Sequence, residues 1–152
     1  MKIQKEGSAV WQGTLKEGGG TISTQSGALN AVPYGFNTRF ADAKGTNPEE
    51  LLGATHASCF TMAMSLILNE ASFTAEQIET KASVSLEKMN DGYEITGILL
   101  TLRGNVPGID QAKFQELANK AKIGCPISKV LKAPITLDAQ LVREISEETT
   151  FM

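Results

Sequence analysis

The order of apolar and polar positions changes character several times along the chain. Two opening runs, Ser8 to Leu15 and Thr21 to Leu29, flank Gly18-Gly19-Gly20 and read as a hairpin, with Trp11 anchoring the apolar face of the first strand. From Asn30 to Thr46 neither period survives, and Pro33, Gly35 and Gly45 punctuate the run. An unpatterned stretch of that length is uncommon inside a compact domain and is often functional. A helix start follows at Asn47, Pro48 and Glu50. Asn47 supplies an N-cap amide, Pro48 a φ preset for the first helical position, and Glu50 an acid placed to return a bond to the cap. This helix runs to about Glu70. Its apolar residues, among them Leu52, Phe60, Met62, Met64, Leu66 and Leu68, fall on nearly every face, which predicts a central element. So much apolar surface in so short a chain also predicts a homodimer, a second copy covering part of it.

Further on, Ala82, Val84 and Leu86 alternate with polar residues, and Tyr93 to Arg103 is rich in Ile and Leu. Asn90-Asp91-Gly92 between them is a hairpin turn signal. Asp110 caps a shorter helix carrying Phe114, Leu117, Ala118 and Ala121 at helical spacing, and Gly124 ends it. Cys125-Pro126 opens a further helical turn to about Leu131. Ile135, Leu137, Ala139 and Leu141 then alternate as a last strand, and residues 142–152 read as an acidic, frayed tail. Hairpins and helices without βαβα alternation predict an α+β fold. Its antiparallel sheets would wrap the long apolar helix in a single domain over residues 1–141.

Length and charge narrow the function. At 152 residues the chain suits one domain. A net charge of −3 lacks the basic footprint of a nucleic-acid binder. The opening MKIQKEGSAVW has no apolar core of a signal peptide, so a cytoplasmic protein is expected. The most apolar stretch, Leu51 to Leu68, is broken by Gly53, His56, Ser58 and Ser65 and reads as a buried helix, without a membrane role.

Two cysteines carry the candidate chemistry. In a reducing cytosol such a pair is more often catalytic or inert than a permanent staple. Cys59 lies mid-helix, beyond the reach of the helix dipole, and apolar burial raises a thiol's pKa. It reacts only if a cation stabilises its thiolate. Cys125, before Pro126, falls at or near an N-cap, where backbone N–H groups favour an anion and make a good leaving group. The pair is no CxxC motif, and only the fold can decide whether the sulfurs meet. Arg39 sits between Phe36 and Phe40, whose need for cover draws the guanidinium inward, although a lone arginine is more often exposed. Glu49 is left free once Glu50 serves the cap. Ten residues separate Glu49 from Cys59, roughly 15 Å along a straight helix. To act at the thiol, the acid needs a bend near Gly53, a partner subunit, or Arg39 as a bridge. His56, one turn before Cys59, reads as a satisfied core or interface histidine ahead of a thiol base. A zinc site from His56, Cys59 and Cys125 would be thin in ligands.

Taken together, GFNTRF (35–40), KGTNPEELLGATHASCF (44–60), KAKIGCPISKVLKA (120–133) and ITLDAQL (135–141) resemble the OsmC/Ohr family of thiol-dependent peroxidases, over roughly residues 1–141. The resemblance implies an enzyme reducing organic hydroperoxides, and hydrogen peroxide less efficiently. It assigns Cys59 as the peroxidatic cysteine, Cys125 as the resolving one, and Arg39 and Glu49 as basic and acidic partners. It further implies an intertwined homodimer, no metal or other cofactor, and a dithiol reductant borne on a lipoyl protein. Cys59 would become a sulfenic acid, Cys125 would condense with it, and the dithiol would reduce the disulfide. Two other readings are a non-catalytic stress protein binding an apolar molecule at the dimer seam and a thiol redox sensor. Arg39 and Glu49 beside two cysteines favour the enzyme.

Overall fold

Alternation and tight turns build the first of two units in the computed structural model, which describes residues 1–143. In this unit, Met1–Leu51, strands β1 (Gly7–Gln12), β2 (Gly19–Thr24) and β3 (Val32–Tyr34) form an antiparallel sheet in that order. The predicted hairpin is present, with Trp11 opposite Gly20. Gly20 is required there, because a Cβ would fall 2.1 Å from the Val10 carbonyl oxygen and against the Tyr34 and Trp11 rings. Those two rings meet edge to face at 5.4 Å. The stretch expected to be irregular holds β3 and a short helix, α1 (Phe36–Phe40). Thr38 closes that helix on itself: its hydroxyl accepts from the Gly35 N–H at 2.8 Å and donates to the Gly35 carbonyl at 2.9 Å.

The long helix α2 (Pro48–Glu70) begins as predicted. The Asn47 Oδ1 accepts from the Glu50 N–H at 2.8 Å. Its burial differs from the expectation. Only the stripe Gly53, His56, Phe60, Met64 and Leu68, spaced by three or four residues, is buried. Met62 and Leu66 stand 75% and 58% exposed. By length and composition the helix could cross a membrane; in this fold its stripe packs on the sheet of the second unit.

That unit, from Leu52 on, contains β4 (Gln77–Met89), β5 (Gly92–Asn105), α3 (Gln111–Gly124), α4 (Pro126–Val130) and β6 (Ile135–Leu141). The Asn90-Asp91 turn joins β4 to β5, with Met89 opposite Gly92. The buried face of β5, Ile98, Leu100 and Leu102, meets Phe60, Met64 and Leu68 of α2 and Phe114 and Leu117 of α3 in one core. The Thr61 hydroxyl of α2 bonds Thr80 of β4 at 2.7 Å. The α+β class is as expected, but β6 corrects the all-antiparallel sheets, for it runs parallel to β5. The chain between them is a helical crossover through α3 and α4, which delivers a strand in the same direction. Beyond β6, the Val142 N–H bonds the Gly104 carbonyl at 2.8 Å, and the expected frayed tail lies, from residue 144, outside the described residues.

Gly104 marks how tightly α3 sits on β5. A Cβ there would come 2.7 Å from Phe114 Cζ and 3.1 Å from Ile78 Cγ2, and Phe114 is fully buried. Gly104→Ala therefore destabilises the protein by about 1–3 kcal/mol through overpacking. The check is a lower urea midpoint at unchanged slope. Gly19→Ala, where nothing lies within 4 Å of the new Cβ, leaves the midpoint nearly in place.

Candidate functional site

Each unit holds one pair of the predicted residues. In the first, α1 raises Arg39 beside the packed Phe36 and Phe40 rings, 5.0 Å apart, with the guanidinium carbon 5.3 Å from the Phe40 centroid. Asn47 ties this helix to the start of α2: while its Oδ1 caps, its Nδ2 donates to the Thr38 carbonyl at 3.0 Å. That registers Glu49 against Arg39. Arg39 Nε donates to both Glu49 oxygens at 3.1 and 3.2 Å, and Nη2 donates to Oε1 at 2.7 Å. A fork of this kind fixes the direction of the guanidinium as well as its charge. Glu49 is 12% exposed and Arg39 37%, so the acid is the anchor and the cation keeps an open face. Beside it lies a cavity of about 300 Å³, walled by Trp11, Leu15, Tyr34, Phe36 and Phe40 with Arg39. Such a chamber suits an apolar molecule with a polar end.

In the second unit α2 presents Cys59 half-buried, on the flank of its buried stripe. Cys125 ends α3, donating its N–H to the Ala121 carbonyl at 2.9 Å, and is the N-cap of α4 with Pro126 next. It is fully buried, Cys59 packs against the same core cluster, and the two thiols lie near enough for each to shift the other's pKa. Sequence spacing left that meeting open; the fold makes it.

The two sulfurs are driven apart electrically. Burial pushes the Cys59 thiol up, the Ile127 N–H opposes this, and the bond to Cys125 and its charge push further up. Burial also pushes Cys125 up, but the Ser128 N–H, the Cys59 thiol, the Ser128 hydroxyl and the Ile127 N–H together hold it below the ordinary thiol value. Its side chain makes no formal cap bond, so these donors act from around the sulfur rather than through one cap contact. Within the pair the donors gather on Cys125, which is held below the ordinary thiol value while Cys59 is pushed above it. For Cys59 to carry a negative charge, a cation must arrive.

His56 is fully buried, and burial lowers its pKa, so the ring is neutral near pH 7. Its Nε2 meets Ser128 Oγ at 2.8 Å. Among the described residues no three His, Cys, Asp or Glu side chains gather into a metal-holding group. Ser128 is the residue that sequence reasoning missed. Its signal was its place three residues after Cys125, one helical turn on, where a polar side chain meets whatever the cap residue meets.

With this geometry in view, comparison with known proteins is informative. The family described as OsmC-like protein matches residues 41–140. "Peroxiredoxin OsmC" of Escherichia coli (strain K12) is 59% identical over 141 residues, covering 93% of this chain and 99% of its own. "Organic hydroperoxide resistance protein OhrB" of Bacillus subtilis (strain 168) is 30% identical over 123 residues, 80% of this chain and 88% of its own. The crystal structure of that Bacillus subtilis protein matches with a TM-score of 0.69 at 27% identity, covering 90% of this chain and 98% of the other.

Proposed function

The chain belongs to the OsmC-like family, and from that membership we propose a thiol-dependent peroxidase that reduces organic hydroperoxides to alcohols. The observation that carries the mechanism is a half-exposed thiol, Cys59, beside a buried one, Cys125, near enough for each to shift the other's pKa. Cys59 is the sulfur a peroxide can reach. Its thiolate attacks the distal peroxide oxygen, the O–O bond breaks, the alcohol leaves with a proton, and Cys59 becomes a sulfenic acid. Cys125, already favoured as a thiolate, attacks that sulfur to form the disulfide. An external dithiol then reduces it. We place a lipoyl group in that role, because a dithiol closes its own ring on leaving and a monothiol does not.

The cation Cys59 needs is Arg39. Glu49 holds the guanidinium by Nε and Nη2, which keeps Nη1 outside the fork for an anion or a peroxide oxygen. The chamber beside Arg39 supports a preference for apolar alkyl groups over hydrogen peroxide. We propose that the working form is a homodimer, with the exposed Met62 and Leu66 of α2 in its seam and a partner subunit completing each site. A reduced thiol pair requires a reducing compartment, and we place the protein in the cytoplasm.

The deciding assay is consumption of cumene hydroperoxide by reduced protein with dihydrolipoamide. Catalytic loss of peroxide is the expected result; a rate equal to dithiol alone overturns the reading. Sedimentation tests the assembly: the wild type runs at twice 16.3 kDa and the Met62→Asp, Leu66→Asp variant as a monomer. A monomeric wild type removes the dimer from the mechanism.

A further inference from the structure

The chain has a single histidine, and the peroxide chemistry above does not use it. His56 stands one turn before Cys59 on α2, and Ser128 one turn after Cys125 on α4. The two helices thus meet in two rungs, sulfur to sulfur and His56 Nε2 to Ser128 Oγ at 2.8 Å. His56 is fully buried, and its Nδ1 has no hydrogen-bond partner among the described residues.

The unpartnered atom decides the tautomer. A buried N–H without an acceptor is the rarer and costlier orphan, so Nδ1 carries the lone pair and Nε2 the proton. Nε2–H then donates to Ser128 Oγ. With that oxygen accepting from the ring, the Ser128 proton is free to turn toward the Cys125 sulfur, whose pKa the hydroxyl lowers. We propose that His56 and Ser128 are positioning residues for the resolving cysteine: a one-way chain, Nε2–H to Oγ–H to Sγ, holds a donor on Cys125 and readies it to attack oxidised Cys59.

The step served rests on the peroxidase reading, whereas the chain rests on the His56–Ser128 bond and on the place of Ser128 one turn after Cys125, with its hydroxyl lowering the Cys125 pKa. In that step the Cys125 sulfur forms the S–S bond while the S–O bond of the sulfenic acid breaks. Hydroxide leaves and takes the proton that Cys125 released, giving water. Cys59 sulfur is reduced as Cys125 sulfur is oxidised, and no outside electron is needed. Ser128 and His56 exchange no proton with solvent; they favour the charged form of the nucleophile. Besides Cys59 and His56 from α2, Glu79 of β4 accepts from Gln77 at one oxygen and buries the other without a partner among the described residues. Lys122 of α3 donates to the Ile135 carbonyl at 3.3 Å, Asp138 of β6 pairs with Arg103, and Lys129 of α4 is exposed.

The test uses the Cys59→Ser background, in which ultraviolet thiolate absorbance reports Cys125 alone. Ser128→Ala moves the titration to higher pH and lowers the thiolate fraction near neutral pH about tenfold, the scale of one hydrogen bond to a charged group. Ser128→Thr, which keeps the hydroxyl, restores it, and His56→Leu shifts it the same way by about threefold. A merely structural serine would leave the titration of the alanine variant on the parent curve, and that overturns the proposal, as does a threonine variant tracking alanine. Long-range proton–nitrogen correlation on the single imidazole gives the Nε2–H tautomer; Nδ1–H reverses the chain and also overturns it. None of these readouts consumes peroxide. A thiolate that follows Ser128 in a protein inert toward hydroperoxide leaves the positioning standing and removes only the peroxidase. Full peroxidase activity with a thiolate indifferent to Ser128 removes only the positioning.

Discussion

Cys59→Ser abolishes dithiol-driven hydroperoxide consumption, a fall of roughly three orders of magnitude or more, because the residue supplies the reacting atom and nothing else on the chain replaces it. Cys125 is buried, and without the Cys59 thiol it has neither the exposure to meet a peroxide nor a partner to receive a disulfide. Its own replacement reads differently. Cys125→Ser still oxidises Cys59, but the sulfenic acid has no neighbouring sulfur to condense with. It waits for external thiol or goes on to sulfinic acid. The expected record is one fast peroxide equivalent per chain, then a stalled steady state, with sulfinic acid at Cys59 by mass spectrometry. Removing Cys125 also withdraws the charge and the bond that push Cys59 up, so the first oxidation is not slowed. Equal turnover for wild type and Cys59→Ser ends the peroxidase reading. Sustained dithiol turnover by Cys125→Ser, free of sulfinic acid, ends the resolving role.

What the sequence disclosed and what it withheld follow from the range of each interaction. The start of α2 was legible because Asn47, Pro48 and Glu50 act within one turn, and the structure shows the Asn47 cap bond. The β4–β5 hairpin was legible for the same reason, its turn chemistry being complete in Asn90-Asp91-Gly92. The buried face of α2 was not. Phe60 is fully buried and Met62 largely exposed, yet the two are equally apolar by type; the sheet against which the helix packs makes the choice. The direction of β6 was hidden because alternation is the same in parallel and antiparallel strands, and only the α3–α4 crossover sets it. α1 is five residues long, too short for a helical period to register. In the site, Cys125 announced itself through Pro126, whereas its closeness to Cys59 and the bond from His56 to Ser128 span nearly half of the chain and existed only once the fold brought α4 onto α2.

Arg39→Met lowers peroxidase kcat/KM about a hundredfold. Two unit charges about 4 Å apart in a protein environment interact by roughly 4 kcal/mol, near a thousandfold. Arg39 is 37% exposed and already faces the Glu49 carboxylate, so solvent and the counter-charge take part of that. The pH profile identifies the cause. Cys59 must be an anion to react, and burial together with Cys125 already pushes its pKa up. Removing the cation pushes it further, so the variant loses most at neutral pH and recovers about tenfold per pH unit as pH rises, until it meets its own raised pKa. A residue that merely shaped the chamber would lower the profile evenly at every pH. Arg39→Lys keeps the charge without the fork and falls between wild type and methionine. Glu49→Gln tests the anchor: one acceptor remains for the guanidinium, its direction loosens, and the loss is about tenfold with a smaller change of profile. If Arg39→Met shows the wild-type rate and the wild-type pH profile, the guanidinium does not serve Cys59, and the thiolate draws its stabilisation from within the second unit.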